Sequence, residues 1–472
     1  MNDVLMASVL VYNSFVLLYF FAINSAYLLL LILSAFEVGY HISKPDLTGC
    51  SGQACELVPT ISVLVPAYNE SQTITSSIEA LQALEYPQLE IIVINDGSTD
   101  ESMRVLRRDF KLVSVDRDVD EKLETEAVNS IYKSITEENL LVLDKENGGK
   151  ADALNAGINY TRSDLFVAVD ADTLIEKDSL WHLVAPYLEN PTRVVGVGGI
   201  VRIANNCKIE NSEILEARLP RRFLPAVQVM EYIRAFLFGR AGWSRIQGLP
   251  IISGAFGLFE RDAAVEIGGY RTDTVGEDMD LVLRLHRQMR DEGQNYQISF
   301  VPVPVCWTQA PSSLRVLSRQ RNRWQRGLAE SLTYNWRMIC NPRYGPVGLA
   351  GLPFFFFFEL LGPVVEVSGY LVFLVSFALG WINLPFALTF ITVAVLYGVF
   401  LSLSALTLEE FTLKRYDNPW DRVKLLGLAV LENLGYRQLH AFWRVKGLFD
   451  FLRKSKSWGE MTRQSFDSPS DE

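Results

Sequence analysis

Along the chain, apolar and polar positions fall into three regimes. Residues 4–36 contain no charged side chain, a run longer than the ~20 residues that a bilayer core requires. A cleaved leader carries about 7–15 apolar residues behind a basic segment. Here the run is longer and only Asp3 precedes it, which predicts a retained membrane helix. A second uncharged run covers residues 367–408, and Gly380-Trp381-Ile382-Asn383-Leu384-Pro385 breaks it as a turn between two spans. Residues 348–365 are apolar except for Glu359 and are punctuated by Pro353, Gly362 and Pro363. They read as a further span or as a broken helix along the interface. Residues 423–443, with Glu432 and Arg437 among them, leave the same two options. The expected layout is an amino-terminal membrane helix and linker over 1–58, a soluble domain over 59–343, and membrane or interfacial helices with a short polar tail over 344–472. That gives one amino-terminal span and three or four near the carboxyl end.

Between the apolar blocks the pattern changes. Short β-rich runs at 61–65, 90–94, 140–143 and 165–169 alternate with amphipathic helical patterns at 71–84, 99–108 and 150–160. This alternation predicts an α/β fold, Rossmann-like with a mostly parallel, doubly wound sheet, whose ligands lie beyond the carboxyl ends of the strands. Polar clusters stand at those ends: Asn69-Glu70, Asn95-Asp96-Gly97-Ser98, the run DKENGGK from Asp144 to Lys150, and Asp170-Ala171-Asp172. Ordinary turn chemistry explains Asn-Asp-Gly alone, but not four polar loops on one edge. Residues 111–138, charged and weakly periodic, read as a surface excursion. Residues 202–251 are less regular, with an amphipathic candidate at 227–240.

Three clusters carry candidate chemistry. Asp170 and Asp172 end an apolar run, and in an extended chain residues two apart share a face; their oxygens suit Mg²⁺ or Mn²⁺. Glu277-Asp278 precedes a helical pattern. A carboxylate there is either a helix-start residue or a base for a hydroxyl proton. In Gln320-Arg321-Asn322-Arg323-Trp324 a guanidinium suits phosphate oxygens and an indole suits the flat of a sugar ring, while a basic face against anionic headgroups is the alternative.

Formal net charge is -11 and no basic tract stands out, so nucleic acid is not an expected partner. Arg315, Arg319, Arg321, Arg323, Arg326, Arg337 and Arg343 precede the second apolar block closely. By the positive-inside rule they place the soluble domain on the cytoplasmic side of a plasma (inner) membrane crossed several times. The five cysteines form no metal-type double pair, and Cys50 and Cys55 read as reduced thiols in a cytosolic linker.

From residue 61 to residue 327 these clusters resemble the family 2 inverting glycosyltransferases of GT-A fold. The likeness is to the membrane-embedded branch that holds cellulose, hyaluronan, chitin-oligosaccharide and poly-N-acetylglucosamine synthases. The Gln-x-x-Arg-Trp pattern of Gln320, Arg323 and Trp324 is specific to that branch, and DKENGGKADALNAG is similar to its nucleotide-binding segment. The resemblance implies that Pro66, Ala67, Tyr68, Asn69 and Glu70 line a uridine pocket, that Asp96 binds the nucleoside, and that Lys150 faces the uracil or diphosphate. It implies that Asp170 and Asp172 bind nucleotide and metal, with Mg²⁺ or Mn²⁺ as the ion. Asp278 is the implied base, with Glu277 beside it toward the acceptor. Gln320 and Arg323 then contact the donor, and Trp324 is the acceptor platform. The implied activity is processive extension of a β-linked glycan from a UDP-sugar, UDP-GlcNAc or UDP-glucose, passed through the bilayer by the chain's own spans. Single transfer to a lipid acceptor and an inactive nucleotide-sugar sensor are the alternatives. Residues 228–245 match no one synthase, which leaves the sugar open.

Overall fold

The computed structural model describes residues 2–44, 58–210 and 213–453; Cys50 and Cys55 lie outside them. Among the described residues, twelve strands form. They are β1 (Ile61–Ala67), β2 (Leu89–Asp96), β3 (Leu112–Ser114), β4 (Val128–Ser134), β5 (Leu140–Lys145), β6 (Leu165–Val169), β7 (Thr173–Ile175), β8 (Val194–Ile203), β9 (Lys208–Glu210), β10 (Glu213–Glu216), β11 (Phe256–Glu260) and β12 (Gln297–Thr308). Ten of them make one sheet in the order β3-β4-β5-β2-β1-β6-β11-β8-β12-β7, and β9 pairs with β10 apart from it.

The expected parallel unit is the centre of that sheet. Strand β1 pairs in parallel with β2 on one side and β6 on the other, and β2 pairs in parallel with β5. Val63, Leu64, Val65 and the run Ile91, Ile92, Val93, Ile94 have no exposure at all, as parallel strands covered on both faces require. The rest of the sheet departs from the expectation. Strand β11 runs antiparallel to both β6 and β8, and β7 runs antiparallel to β12, so the whole is mixed. Residues 111–138 are not a mere excursion, since β3 and β4 close the edge as antiparallel strands on β5. Their side chains are mostly exposed or half-buried rather than alternately buried, so little apolar alternation marks them in the sequence. The helix at Lys150–Tyr160 forms where the pattern predicts it. The candidate at 227–240 is a helix Phe223–Tyr232 running into a π-helical segment Ile233–Arg240.

Among the described residues three helices are long and apolar enough to cross a membrane: Val4–Ile42, Val347–Ala378 and Leu384–Thr412. The carboxyl end therefore supplies two such helices rather than three or four. Residues 348–365 and the first half of 367–408 merge into one continuous run. Residues 423–443 divide at a kink, where Leu434 and Gly435 leave helical geometry between the helices Pro419–Leu431 and Arg437–Leu452.

The first helix packs on the other two through small and polar groups, as membrane helices do when lipid gives them no hydrophobic reason to associate. Tyr12 Oη lies 2.6 Å from Ser368 Oγ, Asn13 donates to Ser376 Oγ at 3.1 Å and Asn24 donates to the Val393 carbonyl at 2.9 Å. The rings of Phe373 and Phe390 stack at 4.1 Å beneath Phe20. Gly369 permits the closest approach: a Cβ there lies 2.5 Å from Val16 Cγ1. Gly369→Leu should therefore overpack the bundle and cost about 1–3 kcal/mol, read as a lower unfolding temperature of the detergent-solubilised protein. An unchanged unfolding temperature would show that this contact does not hold the bundle.

Candidate functional site

The chain leaves β1 toward β2 and later returns on the opposite side of β1 as β6. The carboxyl ends of β1 and β6 therefore flank a topological switch point, where open α/β sheets bind ligands. The residues 66–70 after β1 and Asp170 after β6 face each other there, and all line one cavity of about 1980 Å³.

Asp96, at the end of β2, organises the neighbouring loop. Its carboxylate accepts the backbone N–H of Gly148 at 2.9 Å and of Gly149 at 2.8 Å, and pairs with Lys145 Nζ at 2.8 Å. Lys145 is fully buried and also meets Asp152 at 2.6 Å. This network folds DKENGGK back over the strand ends, with Gly149 at φ 89° starting the helix of Lys150. Asn69 is likewise a loop anchor. It sits at φ 57°, and its Oδ1 accepts the backbone N–H of Thr99 at 2.8 Å. Glu70 is buried and accepts from Thr73 Oγ1 at 2.8 Å, whereas Tyr68 stays half-exposed over the cavity.

Lys150 reaches across to Asp170 Oδ1 at 2.5 Å and to the Gly254 carbonyl at 3.1 Å. Burial alone depresses its ammonium. The carboxylates of Asp170, Glu277 and Asp278 outweigh that and hold it above its ordinary value. Asp170 and Asp172 share the cavity for a reason other than strand alternation: β6 ends at Val169, and residues 170–172 form a turn closed by Thr173 Oγ1 on the Asp170 carbonyl at 2.7 Å. Burial, and then the adjacent Asp170 charge, push the Asp172 carboxyl up to about 6. Two crowded carboxylates at a cavity wall fit a divalent cation, and Mg²⁺ commonly takes one or two protein carboxylates with substrate phosphates completing the shell. No cluster of three or more His, Cys, Asp or Glu side chains forms a protein-only cage among the described residues.

Glu277 and Asp278 begin the helix Glu277–Asp291, which follows Gly276. Neither acts as a side-chain N-cap. Asp278 instead aims into the cavity, its Oδ2 accepting Gly254 N–H at 3.2 Å and its Oδ1 accepting Met279 N–H at 2.8 Å. Glu277 is buried beside it. Burial pushes its carboxyl up to about 7, with Lys150 opposing and the Asp278 charge adding. Gly254 thus bridges the Lys150 ammonium and the Asp278 carboxylate through its own peptide groups. Sequence reading missed it, because it stands just past a stretch without clear periodicity; the only local signal is a glycine between Ser253 and Ala255.

Gln320, Arg321, Arg323 and Trp324 lie on the helix Leu314–Tyr334, and all four line the cavity. Trp324 is 43 % exposed, with the Arg321 guanidinium 4.1 Å from its ring centroid. Arg321 itself is buried and pairs with Glu231 at 2.8 Å, so it supports the indole from behind. Gln320 Oε1 accepts from Arg321 at 3.0 Å. The helix is locked to the Asp278 loop: a Cβ on Gly276 lies 2.6 Å from the Gly327 carbonyl oxygen, and one on Gly327 lies 2.9 Å from Gly276 Cα. Ser331 Oγ donates to the Gly276 carbonyl at 3.1 Å, and Glu330 accepts Thr274 Oγ1 and Val275 N–H at 2.8 and 2.9 Å. On the other flank Gly447 meets the Asn322 carbonyl.

Beyond Trp324 the same cavity continues among the apolar helices, past Tyr27, Glu359, Glu366, Arg437 and Arg444. Arg444 pairs with Glu359 at 2.8 Å and Arg437 with Glu366 at 3.2 Å, while Tyr27 donates a hydrogen bond to Glu359. The signal for this half is in the sequence, since an acidic residue within an apolar run marks a functional position by default.

Comparison with known proteins bears on the same stretch of chain. Residues 59–327 match the family described as "Glycosyltransferase like family 2". The poly-beta-1,6-N-acetyl-D-glucosamine synthase of Staphylococcus aureus (strain COL) is 29% identical over 298 residues, covering 63% of this chain and 60% of the relative. The synthase of the same name from Staphylococcus epidermidis is 30% identical over 275 residues, covering 58% and 56%. The chain thus matches about 60% of the length of these relatives. In structure it resembles a mannosyltransferase from Pyrobaculum calidifontis solved with GDP-Man and Mn²⁺. The TM-score is 0.53 at 20% identity over 89% of this chain and 99% of that one, a likeness of fold.

The glycine contact predicts its own test. Gly276→Ala or Gly327→Ala forces a methyl against backbone that cannot rotate away. The Asp278 loop and the Trp324 helix must then separate, and a shift of about 1 Å between reacting groups costs on the order of 10²-fold in rate. Glycosyl transfer by either variant should fall by that order; wild-type turnover would contradict the coupling.

Proposed function

This chain belongs to the glycosyltransferase-like family 2, and we propose that it extends a β-linked polysaccharide from a UDP-sugar, UDP-GlcNAc or UDP-glucose, and passes the product across the membrane it spans. The observation that carries this reading is the continuity of one cavity from Asp96, Lys150 and Asp170 past Asp278 and Trp324 to Glu359 and Arg444. A passage lined by paired charges such as Glu359–Arg444 and Glu366–Arg437 suits a hydrophilic glycan better than the apolar tail of a lipid acceptor. In this reading the donor domain is cytoplasmic, where nucleotide sugars are made, and the protein is a multi-pass resident of the plasma (inner) membrane.

The chemistry follows from the side chains. Residues 66–70 and Asp96 frame the uridine, with Asp96 acting through the loop it folds as well as directly. Lys150 and Arg323 hold the diphosphate from opposite walls, and Gln320 steadies the sugar end. Asp170 and Asp172 would hold Mg²⁺ or Mn²⁺, which when bound neutralises charge on the leaving diphosphate. The acceptor's terminal sugar rests on Trp324, near Glu277. Asp278, kept in place by two peptide N–H groups, takes the proton of the acceptor hydroxyl as that oxygen bonds to the anomeric carbon. The bond from that carbon to the diphosphate breaks on the opposite face, so configuration inverts.

Asp278→Asn keeps the shape of the side chain and should lower sugar transfer by about 10²–10⁴-fold with UDP affinity nearly unchanged. Near-wild-type turnover would remove Asp278 from the role of base. Asp172→Ala should weaken UDP binding when Mn²⁺ or Mg²⁺ is present and change it little in EDTA. Activity and affinity that both survive chelation would make Asp170 and Asp172 structural. Trp324→Ala should retain UDP binding while polymer yield falls, with Trp324→Phe recovering part of it. Loss of UDP binding with polymer length intact would place Trp324 at the donor instead.

A further inference from the structure

Arg240 ends the π-helical segment Ile233–Arg240 and lines the cavity. Its guanidinium lies flat on Phe236, 3.7 Å from the ring centroid. Its Nε and Nη1 are buried and have no hydrogen-bond partner among the described residues. Other arginines along the same cavity are neutralised: Arg321 by Glu231 at 2.8 Å, Arg234 by Glu432 at 3.3 Å, Arg437 by Glu366 at 3.2 Å and Arg444 by Glu359 at 2.8 Å. Burial pulls the Arg240 guanidinium down to about 10, and the Asp278 carboxylate, whose charge reaches it, opposes that fall. It therefore stays a cation at neutral pH, on the Asp278 side of the cavity.

The segment that carries it packs on the apolar amino-terminal helix. Ser34 on the amino-terminal helix donates to the Leu237 carbonyl at 2.5 Å, and the Phe238 ring meets the Tyr27 ring at 6.0 Å. Lys150 and Asp170 line the same cavity, with Lys150 joined to Asp278 through the peptide groups of Gly254. A buried N–H without a partner is destabilising, and a ligand oxygen relieves it. A pyranoside offers such oxygens as hydroxyls or as an acylamido carbonyl, and a fixed planar fork reads them with direction.

We propose that Arg240 is a further acceptor-binding residue: stacked on Phe236, it hydrogen-bonds an oxygen of the acceptor's terminal, uncharged sugars and holds the reacting hydroxyl toward Asp278. The assignment rests on the glycosyl-transfer reading above. Its counterpart on the same sugar is Trp324, which offers a surface but no direction.

The test uses the full-length protein in lipid nanodiscs, with UDP-GlcNAc or UDP-glucose as donor and short N-acetylglucosamine or cello-oligosaccharides as added acceptors. Arg240→Met should leave UDP affinity unchanged and raise the half-saturating oligosaccharide concentration by about 10- to 100-fold, the loss expected for one hydrogen bond from a charged group. The maximal rate should fall less. Arg240→Lys, which keeps the charge without the planar fork, should lie between. Unchanged oligosaccharide dependence would overturn the assignment, as would a parallel loss of UDP affinity, which would place Arg240 on the diphosphate. Should Arg240→Met unfold, Arg240→Lys decides alone, since acceptor dependence equal to wild type refutes the role. A wild-type protein that transfers no sugar from either donor would bring down the functional reading itself, and this assignment with it, before any variant is compared.

Discussion

Two backbones touch at Gly276 and Gly327, and the arrangement of the site hangs on that contact. A methyl on either glycine lies within 3 Å of the opposing main chain, so no other residue permits the spacing. The contact fixes the start of the Asp278 helix against the middle of the helix that carries Arg323 and Trp324. Ser331 and Glu330 then satisfy the peptide groups of the loop, and Asn335 reaches Asp280 at 3.2 Å. Asp278 and Trp324, from segments some 45 residues apart, thereby acquire a fixed relation, as the proposed pairing of base and sugar platform demands.

The opposite wall is fixed by a different device. Asp96 spends its carboxylate on two peptide N–H groups and a buried lysine, so the loop before Lys150 is held by charge-assisted bonds in a dry setting. Gly254 ties the two walls together, accepting from Lys150 and donating to Asp278. Removing the Lys150 cation would leave Asp170, Asp172, Glu277 and Asp278 crowded, with Arg323 and Arg240 as remaining opposing charges. In the proposed reading, a divalent ion beside Asp170 and Asp172 would offset part of that crowding.

The parallel half of the sheet was legible in the sequence, because strands buried on both faces read as unbroken apolar runs such as Ile91 to Ile94. The polar loops beyond those strands were legible as clusters at the strand ends, and the resemblance brought together Asp278, Arg323 and Trp324, which share one cavity. The antiparallel half was not. Strand β11 (Phe256–Glu260) is short and its partners lie far away in sequence, while β3 and β4 carry polar side chains on their solvated face. The glycine contact was invisible, since nothing in Gly276 or Gly327 alone says that the two meet. The shared face of Asp170 and Asp172 was anticipated for the wrong reason, a turn doing what strand alternation was expected to do. Three or four carboxyl-terminal spans became two helices of sufficient length because Pro353 and Pro363 are absorbed within one run.

The membrane half of the cavity completes the account. Glu359 and Glu366 lie within an apolar helix long enough to cross a membrane, each paired with an arginine, and charge in such a helix persists only beside a partner or a polar path. Paired charges leave a passage rich in hydrogen-bonding groups with little net field, which suits a neutral glycan. The most direct measurement is an electron cryomicroscopy structure of the protein with UDP, Mn²⁺ and an oligosaccharide. The account predicts UDP between Lys150, Asp170 and Arg323, with sugar density on Trp324 continuing past Glu359 and Arg444. UDP bound away from that cavity, or an oligosaccharide that turns from Trp324 to the outer surface, would contradict it.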